Sequence, residues 1–403
     1  MRNIPDTMNI LNEAASRFPD ATSFLAGRPP DESVDCRVTR TWIEQFTANI
    51  NTPNIWRKLG QYSDTSGIVL DLLAQYFISC GQGATCAQDC MVTNGAQEGM
   101  IIALMGICDG TGVALTADPS YAGFIGAAHV AGVHIQTVLD GPDFVTRLVE
   151  RMSITSPKVN CVYLIPDFAN PTGKILSLEE RVLIVKAAHT TNTVIIEDCA
   201  YRYYRYEGTA LPTLYSLSGG DHVILLESFA KTLLPGLRIG ALVTRSRDSN
   251  GCSLMKTFSR IKSYISVCTS PIVQAALGGF LLSDGRHMPR WMEPKVQRLK
   301  DRRDVLLKAL GNEFVGRDRV SWNRPRGGFF TCVQLGIPFG LQECFRCAAE
   351  ARVLVLPMRL FSTDDHWRED IRLSYSNVSP CQIEPSLARF ARWMLKLGIK
   401  GIG

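Results

Sequence analysis

From residue 112 to residue 244 the chain alternates two hydrophobic patterns. One is a short continuous apolar run, such as Val194-Ile195-Ile196 or Val223-Ile224-Leu225-Leu226; the other is a longer amphipathic stretch. Short apolar runs bounded by polar turns read as strands buried on both faces. The predicted strands are 112–116, 133–137, 159–165, 193–197, 222–227 and 240–244. The amphipathic stretches between them read as helices. The one over 177–190 opens on Ser177, with Glu180 completing a capping box. Strands alternating with helices predict an α/β fold, a mostly parallel sheet with helices on both faces. Beyond residue 285 a long helical stretch over 293–310, with Pro294 in its first turn, leads into Pro325-Arg326-Gly327-Gly328-Phe329-Phe330 and a smaller α/β region. There are no internal repeats and no low-complexity linkers.

With 403 residues the chain has room for one large and one smaller domain. Hydrophobic residues make up 46% and charged residues 20%, the balance of an ordinary globular enzyme. The net charge of +5 is spread without a long basic run. The densest basic patch, 295–303, is interrupted by Val296, Leu299 and Asp301 and reads as the wet face of a helix, so no nucleic-acid partner is expected. Thirteen cysteines, sparse and often inside apolar runs, argue against a disulfide framework. Cys344 and Cys347 form a lone C-x-x-C in a predicted helix over 341–351, without a second pair or nearby histidines, so no metal is expected there. The N-terminus lacks a signal-peptide core, and no run approaches the roughly 18 apolar residues of a membrane helix. No membrane partner is expected, and a reduced cytoplasm fits this composition.

The chemistry concentrates in Ser228-Phe229-Ala230-Lys231-Thr232-Leu233-Leu234-Pro235-Gly236-Leu237-Arg238-Ile239-Gly240. A lysine amine attacks a carbonyl carbon only when neutral, which requires a dry or cationic pocket that lowers its pKa. Serine and arginine close by suit a dianionic phosphate. Lys231, Ser228 and Arg238 together therefore describe an aldehyde cofactor with a phosphate handle, pyridoxal 5'-phosphate (PLP) held as a Schiff base. Three further segments arrive in order. Asn170-Pro171-Thr172-Gly173 follows one predicted strand, and Asp198-Cys199-Ala200-Tyr201 follows another. Val92-Thr93-Asn94-Gly95-Ala96-Gln97-Glu98-Gly99-Met100 reads as strand, turn and helix start, with amides that would face an anion. Singly these are turns and caps. Together, at the carboxyl ends of parallel strands, they can converge on one site.

With these motifs in this order, the chain resembles the fold-type I PLP enzymes of the class I/II aminotransferases over about residues 23–376. Gln61-Tyr62-Ser63, Pro119-Ser120-Tyr121 and Pro166-Asp167-Phe168-Ala169-Asn170-Pro171-Thr172-Gly173 are similar to the 2-aminoadipate/kynurenine branch. Ala26-Gly27-Arg28-Pro29 also resembles antibiotic-pathway transaminases of phenylglycine type. The resemblance implies a large PLP-binding domain over 50–285 and a small domain built from 1–49 with 286–403. It makes Lys231 the Schiff-base lysine and proton shuttle, with Asp198 against the pyridine nitrogen. It puts Asn170 and Tyr201 on the phenolic oxygen, Tyr201 counting with Lys231 and Asp198 as catalytic, and stacks Tyr121 on the ring. Ser228, Arg238, Gln97 and the amide of Ala96 would hold the phosphate. Arg372, in Ile371-Arg372-Leu373-Ser374, matches the clamp for the substrate α-carboxylate. Gly27 and Arg28 would border the substrate, Arg28 meeting an acidic or polar tail. Tyr62 matches a residue that reaches the phosphate of the neighbouring subunit in a homodimer.

Three positions depart from the family pattern, Arg28 after Gly27 among them. Ala230 stands where many relatives have a second serine, and Met358 follows Pro357 where glycine is usual, adding bulk near the substrate mouth. The implied reaction is amino-group transfer between an amino acid and a 2-oxo acid in two half-reactions. The alternative is the same cofactor used for β- or γ-substitution, cyclisation or oxidation. A ligand-sensing regulator on this scaffold would need an N-terminal helix-turn-helix; only about 20 residues precede Ser23, so that class is not expected.

Overall fold

The computed structural model describes residues 7–50, 52–108, 112–316 and 319–396. Its centre is a seven-stranded sheet: β1 (Cys90–Thr93), β2 (Val113–Asp118), β3 (His134–Leu139), β4 (Val159–Leu164), β5 (Val194–Asp198), β6 (Val223–Ser228) and β7 (Gly240–Val243). The spatial order is β1-β7-β6-β5-β4-β2-β3. Only β7 runs against its neighbours; the other pairs are parallel. Each strand predicted from an apolar run is present, displaced by at most two residues at an end. Every position of β1, β6 and β7 is buried, which is why their sequences show no alternation.

Helices cover both faces. On one, Ala96–Cys108 sends Met100, Ile102 and Leu104 into a core with Phe124 and Phe258. On the other, Leu73, Phe77, Ile184, Leu277 and Phe280 share a larger core. Helix Val38–Asn49, assigned from the sequence to the smaller unit, buries Trp42 and Phe46 in this larger core. The capping box holds as read: Ser177 Oγ accepts from the Glu180 N–H, opening helix Leu178–Thr191.

A four-stranded antiparallel sheet forms the second region, in the order Leu356–Pro357, Asp370–Ser374, Phe330–Gln334, Ser321–Trp322. Helices Leu341–Ala351 and Pro380–Lys396 pack on it around Phe339, Phe390 and Trp393. Cys344 and Cys347 are buried in that core. The long helix runs Met288–Phe314, so Pro294 lies inside it and not in its first turn as the sequence suggested. Pro289 occupies the start, and the helix continues through Pro294 at the loss of one backbone N–H donor. Its first half contributes Met292 and Leu299 to the larger core and its second half Leu306 and Leu310 to the other.

One crossing of the chain matters for the site. Thr22–Ser23 pairs in parallel with Val353–Leu354, and the Ser374 N–H donates to the Phe24 carbonyl at 2.8 Å. Residues 24–27 are thereby fastened to the end of Asp370–Ser374 and face the carboxyl ends of the large sheet.

Candidate active site

A cavity of about 270 Å³ opens where β5 and β6 end and the N-terminal segment crosses. Lys231, Asp198, Tyr201, Ala96, Gln97, Tyr121, Asn170, Ser228, Arg238, Gly27, Arg28 and Arg372 all line it. Tyr62 does not. Its ring is 82% exposed and borders a separate groove with Gln61 and Ser63.

Lys231 sits on Phe229–Thr232, a single helical turn directly after β6. That turn is too short to satisfy its own carbonyls, and side chains from elsewhere complete it. Tyr204 Oη donates to the Lys231 carbonyl at 2.5 Å, and Trp291 Nε1 and Lys295 Nζ donate to the Thr232 carbonyl at 3.0 and 2.6 Å. Lys231 Nζ itself donates to the Gly27 carbonyl at 2.6 Å. Burial brings its pKa down to about 8, helped by the Arg238 and Arg372 cations and opposed by Asp198. About one amine in ten is then neutral at pH 7, against far fewer than one in a thousand for an ordinary lysine.

Asp198 ends β5 with its carboxylate buried. Tyr163 Oη donates to Oδ2 at 2.8 Å and the Ala200 N–H to Oδ1 at 3.0 Å. Burial raises its pKa, while those two donors and the Lys231 ammonium hold it back. Tyr163, stacked on Phe124 at 4.0 Å, thus sets the orientation of the carboxylate. The Tyr121 hydroxyl is pushed up to about 12 by burial and the Asp198 charge, and burial raises that of Tyr201 further, so both remain protonated donors. The Tyr121 ring lies where a side chain on Gly123 would be, 2.4 Å from its ideal Cβ.

One end of the cavity is an anion cradle. The N-terminus of helix Ala96–Cys108 meets Ser228 and Arg238 there. Gly95, at φ +78°, lets Arg238 Nη2 approach to 2.8 Å of where a Cβ would stand. Gly240 admits the Glu227 carbonyl and the Ala96 amide nitrogen equally closely, at 2.7 and 3.0 Å. Free helix amides, a hydroxyl and a guanidinium form a donor set suited to a phosphate dianion. Gln97 lines this end, but its amide is engaged by the Gly123 carbonyl at 2.7 Å. A phosphate-bearing aldehyde with a basic ring nitrogen fits the donors present: cradle, amine, buried carboxylate and aromatic face.

The opposite wall comes from the second region. Arg372 is 3% exposed, its guanidinium carbon 4.2 Å from the Phe330 ring centroid and 4.7 Å from that of Phe361. Its Nη1 donates to Asn170 Oδ1 at 2.8 Å and its Nη2 to the Leu25 carbonyl, whereas Nε is buried without a hydrogen-bond partner among the described residues. Burial lowers its pKa to about 10, so it stays a cation at neutral pH. Gly27 is required where it stands, because a Cβ would lie 2.5 Å from Phe330 Cζ. Arg28 is tied to Asp31 at 3.3 Å in an exposed pair. Met358 is not at the mouth as its sequence position suggested; it is fully buried in the second core beside Cys332.

The sequence reading missed Tyr163, Phe330 and Phe361 as site residues, together with the apolar lining from Met8, Leu25, Met100 and Ile165. Only Phe330 carried a signal, since it ends the segment Pro325-Arg326-Gly327-Gly328-Phe329-Phe330 that marks the start of the second region.

The sequence model of the family described as aminotransferase class I and II matches residues 37–390. The (S)-3,5-dihydroxyphenylglycine transaminase of Amycolatopsis orientalis is 32% identical over 400 residues, covering 96% of this chain and 90% of that protein. The 2-aminoadipate transaminase of Thermus thermophilus is 28% identical over 312 residues, 76% of this chain and 75% of its own. Among solved structures, the α-aminoadipate aminotransferase LysN from Thermus thermophilus, complexed with N-(5'-phosphopyridoxyl)-L-leucine, superposes with a TM-score of 0.83 at 24% identity, covering 98% of this chain and 97% of that one. The kynurenine aminotransferase of Pyrococcus horikoshii gives 0.84 at 22% identity over 96% and 94% of the two chains. These two likenesses establish the fold, the PLP-transferase fold type I.

Proposed function

The chain belongs to the class I and II aminotransferases, and on that premise we propose that it exchanges an amino group between an amino acid and a 2-oxo acid with PLP in the described cavity. The observation that carries this reading is the meeting of Lys231, Asp198, Arg238 and Arg372 around one cavity, with the lysine amine brought down to about 8. The relatives named above are transaminases, which favours amino transfer over substitution, cyclisation or oxidation. PLP, when bound, supplies an aldehyde for amine exchange and a ring that takes up electron density from the substrate.

The remaining work falls to the protein. Ser228, Arg238 and the backbone amides of Ala96 and Gln97 would hold the phosphate, and Tyr121 would give the ring an aromatic face. Asp198, oriented by Tyr163 and Ala200, keeps a buried negative charge beside the ring nitrogen. Asn170 and Tyr201 supply donors for the phenolic oxygen. Lys231 Nζ, partly neutral near the operating pH, would be the amine that holds the cofactor and the base that carries the α-proton. Arg372, fixed between two aromatic rings, presents a planar fork to the α-carboxylate and so orients the reacting bond. The substrate side chain would extend along Gly27 toward Arg28, where Met8, Leu25 and Phe361 also line the cavity.

Two coarser readings accompany this one. We take residues 50–285 as the cofactor domain and 1–49 with 286–403 as the small domain, supported by the two separate sheets, with helix Val38–Asn49 and the first half of Met288–Phe314 packing across onto the larger core. We also read the active form as a homodimer in which Tyr62 acts across the interface. The exposure of Tyr62 and Tyr264, 82% and 89%, alongside exposed Val267 and Ile272, supports such a surface. Among the described residues no helix is long and apolar enough to cross a membrane.

The test is a single half-reaction. Holoprotein mixed with each of a panel of amino acids, without any acceptor, should yield one 2-oxo acid per chain from its preferred donor. Ammonia release, oxygen consumption or a substituted product in place of that stoichiometry overturns amino transfer.

A further inference from the structure

At the end of the sheet opposite the cavity, His222 directly precedes β6, and His189 lies in the last turn of Leu178–Thr191. Their rings are 4.7 Å apart, with Asp221 beside them. One ligand atom from each of the three lies within 4.8 Å of the others. The arrangement of His222 is informative. Its Nε2 lies 3.0 Å from Asn192 Oδ1, a pairing that suits the tautomer with its proton on Nε2. The Nδ1 lone pair then faces Asp221 Oδ2 at 3.2 Å, and Nδ1 is buried without a hydrogen-bond partner among the described residues. Such a contact is favourable when a cation, either a second ring proton or a bound metal ion, lies between the nitrogen and the carboxylate.

We propose that His189, Asp221 and His222 form a divalent transition-metal site, of the class that binds Zn²⁺, separate from the catalytic cavity. Two imidazole nitrogens and one carboxylate oxygen are the donor set that suits such an ion, leaving a fourth position for water. Asn192 has the place of the outer partner that fixes tautomer and ring direction in histidine–metal sites. His189 is exposed and free to turn its ring onto the ion. The ion would join the end of helix Leu178–Thr191 to the turn that starts β6, two segments otherwise linked here by side chains alone.

Cobalt titration of the intact holoprotein tests this, because a histidine–carboxylate site gives visible d–d bands without the intense near-ultraviolet band of a cobalt–thiolate. That distinction matters in a chain with exposed Cys36, Cys86, Cys252 and Cys381. The expected result is one Co²⁺ per chain, displaced by equimolar Zn²⁺, with no thiolate band. His189→Ala, on an exposed helix position, and His222→Asn, which tolerates the left-handed backbone at φ +55°, should each abolish the bands. Asn192→Gly keeps the left-handed cap and removes only the acceptor, so affinity should fall about 10–100-fold. A thiolate band, sub-stoichiometric uptake, or a titration unchanged in the folded variants overturns the site and leaves a proton as the charge between His222 and Asp221.

Discussion

On each wall of the cavity desolvation lowers the pKa of one cation, half-buried Lys231 and buried Arg372, and the two are treated differently. On the strand-end wall, Lys231 is brought down to about 8, close enough to neutrality for its amine to react. On the wall from the second sheet, Arg372 is brought down only to about 10 and keeps its charge. Burial is the leading cause in both cases. The difference lies in the groups: an ammonium is a compact charge that sheds its proton when desolvated, whereas a guanidinium delocalises its charge and stacks on aromatic faces. One residue is made useful by losing charge and the other by retaining it. The proposed reaction, which breaks a bond to hydrogen while a carboxylate is held, would use both.

Removing the reactive cation breaks the comparison most severely. Lys231→Ala should abolish turnover and, after borohydride treatment of the PLP-loaded protein, leave no labelled active-site peptide. A labelled peptide elsewhere, for instance at Lys256 or Lys262, would transfer the assignment. The charge that faces Lys231 is the next probe of the same wall. Asp198→Asn keeps the shape and its contact with Tyr163 but removes a buried charge, so turnover should fall about 10–100-fold, by the worth of one charged hydrogen bond, while cofactor remains bound. Near-normal turnover would reduce Asp198 to a structural cap.

Arg372→Ala probes the other wall. Removing a buried charge-assisted partner costs about 2–5 kcal/mol, and the loss should appear in affinity for every amino-acid substrate, with PLP content unchanged. Arg372→Lys retains charge and loses both the fork and the stacking, so it should recover only part of that affinity. Full recovery would mean that charge alone matters and would remove the geometric argument.

The distinction also predicts a pH signature. Because a lowered lysine pKa favours the neutral amine, the reactivity of Lys231 in apoprotein should rise about tenfold per pH unit below 8 and level off above it. Competitive acetylation with peptide mapping reads this directly, without the cofactor's own ionisation. A rate still climbing at pH 10 would mean that the pocket does not perturb the amine.

The two walls were unequally legible in the sequence. The strand-end wall was readable because a parallel sheet gathers its carboxyl ends on one side, so Asn170, Asp198 and Ser228 needed only strand prediction to be brought together. Tyr163 escaped because β4 is buried almost throughout, leaving no alternation to say which side chain turns toward Asp198. The wall around Arg372 depends on antiparallel register, Cys332 opposite Arg372 and Phe330 opposite Ser374, and on residues 24–27 crossing to that edge. No local pattern encodes those pairings. The placement of Pro294 failed for a related reason: helix packing over Met288–Phe314 outweighed the local signal of a proline.

The smallest expected effect concerns the rings that hold Arg372. Phe361 reaches the cavity from a short turn of the second region and supplies one of the two faces against the guanidinium, at 4.7 Å from its centroid. Phe361→Leu preserves apolar bulk and removes the quadrupole; a cation–π contact is worth about 0.5–1 kcal/mol when exposed and about 2 when desolvated, and with Phe330 still in place the lower part of that range applies. Phe330 would still cover the other face at 4.2 Å, so the arginine should stay in place but turn more freely. The expected result is a rise in KM of about fivefold, common to all amino-acid substrates, with kcat altered less and the Lys231 titration unmoved. Sparing small substrates while penalising large ones would instead assign Phe361 to the substrate side-chain pocket. The comparison would then have to be redrawn with Phe330 alone holding the cation that keeps its charge.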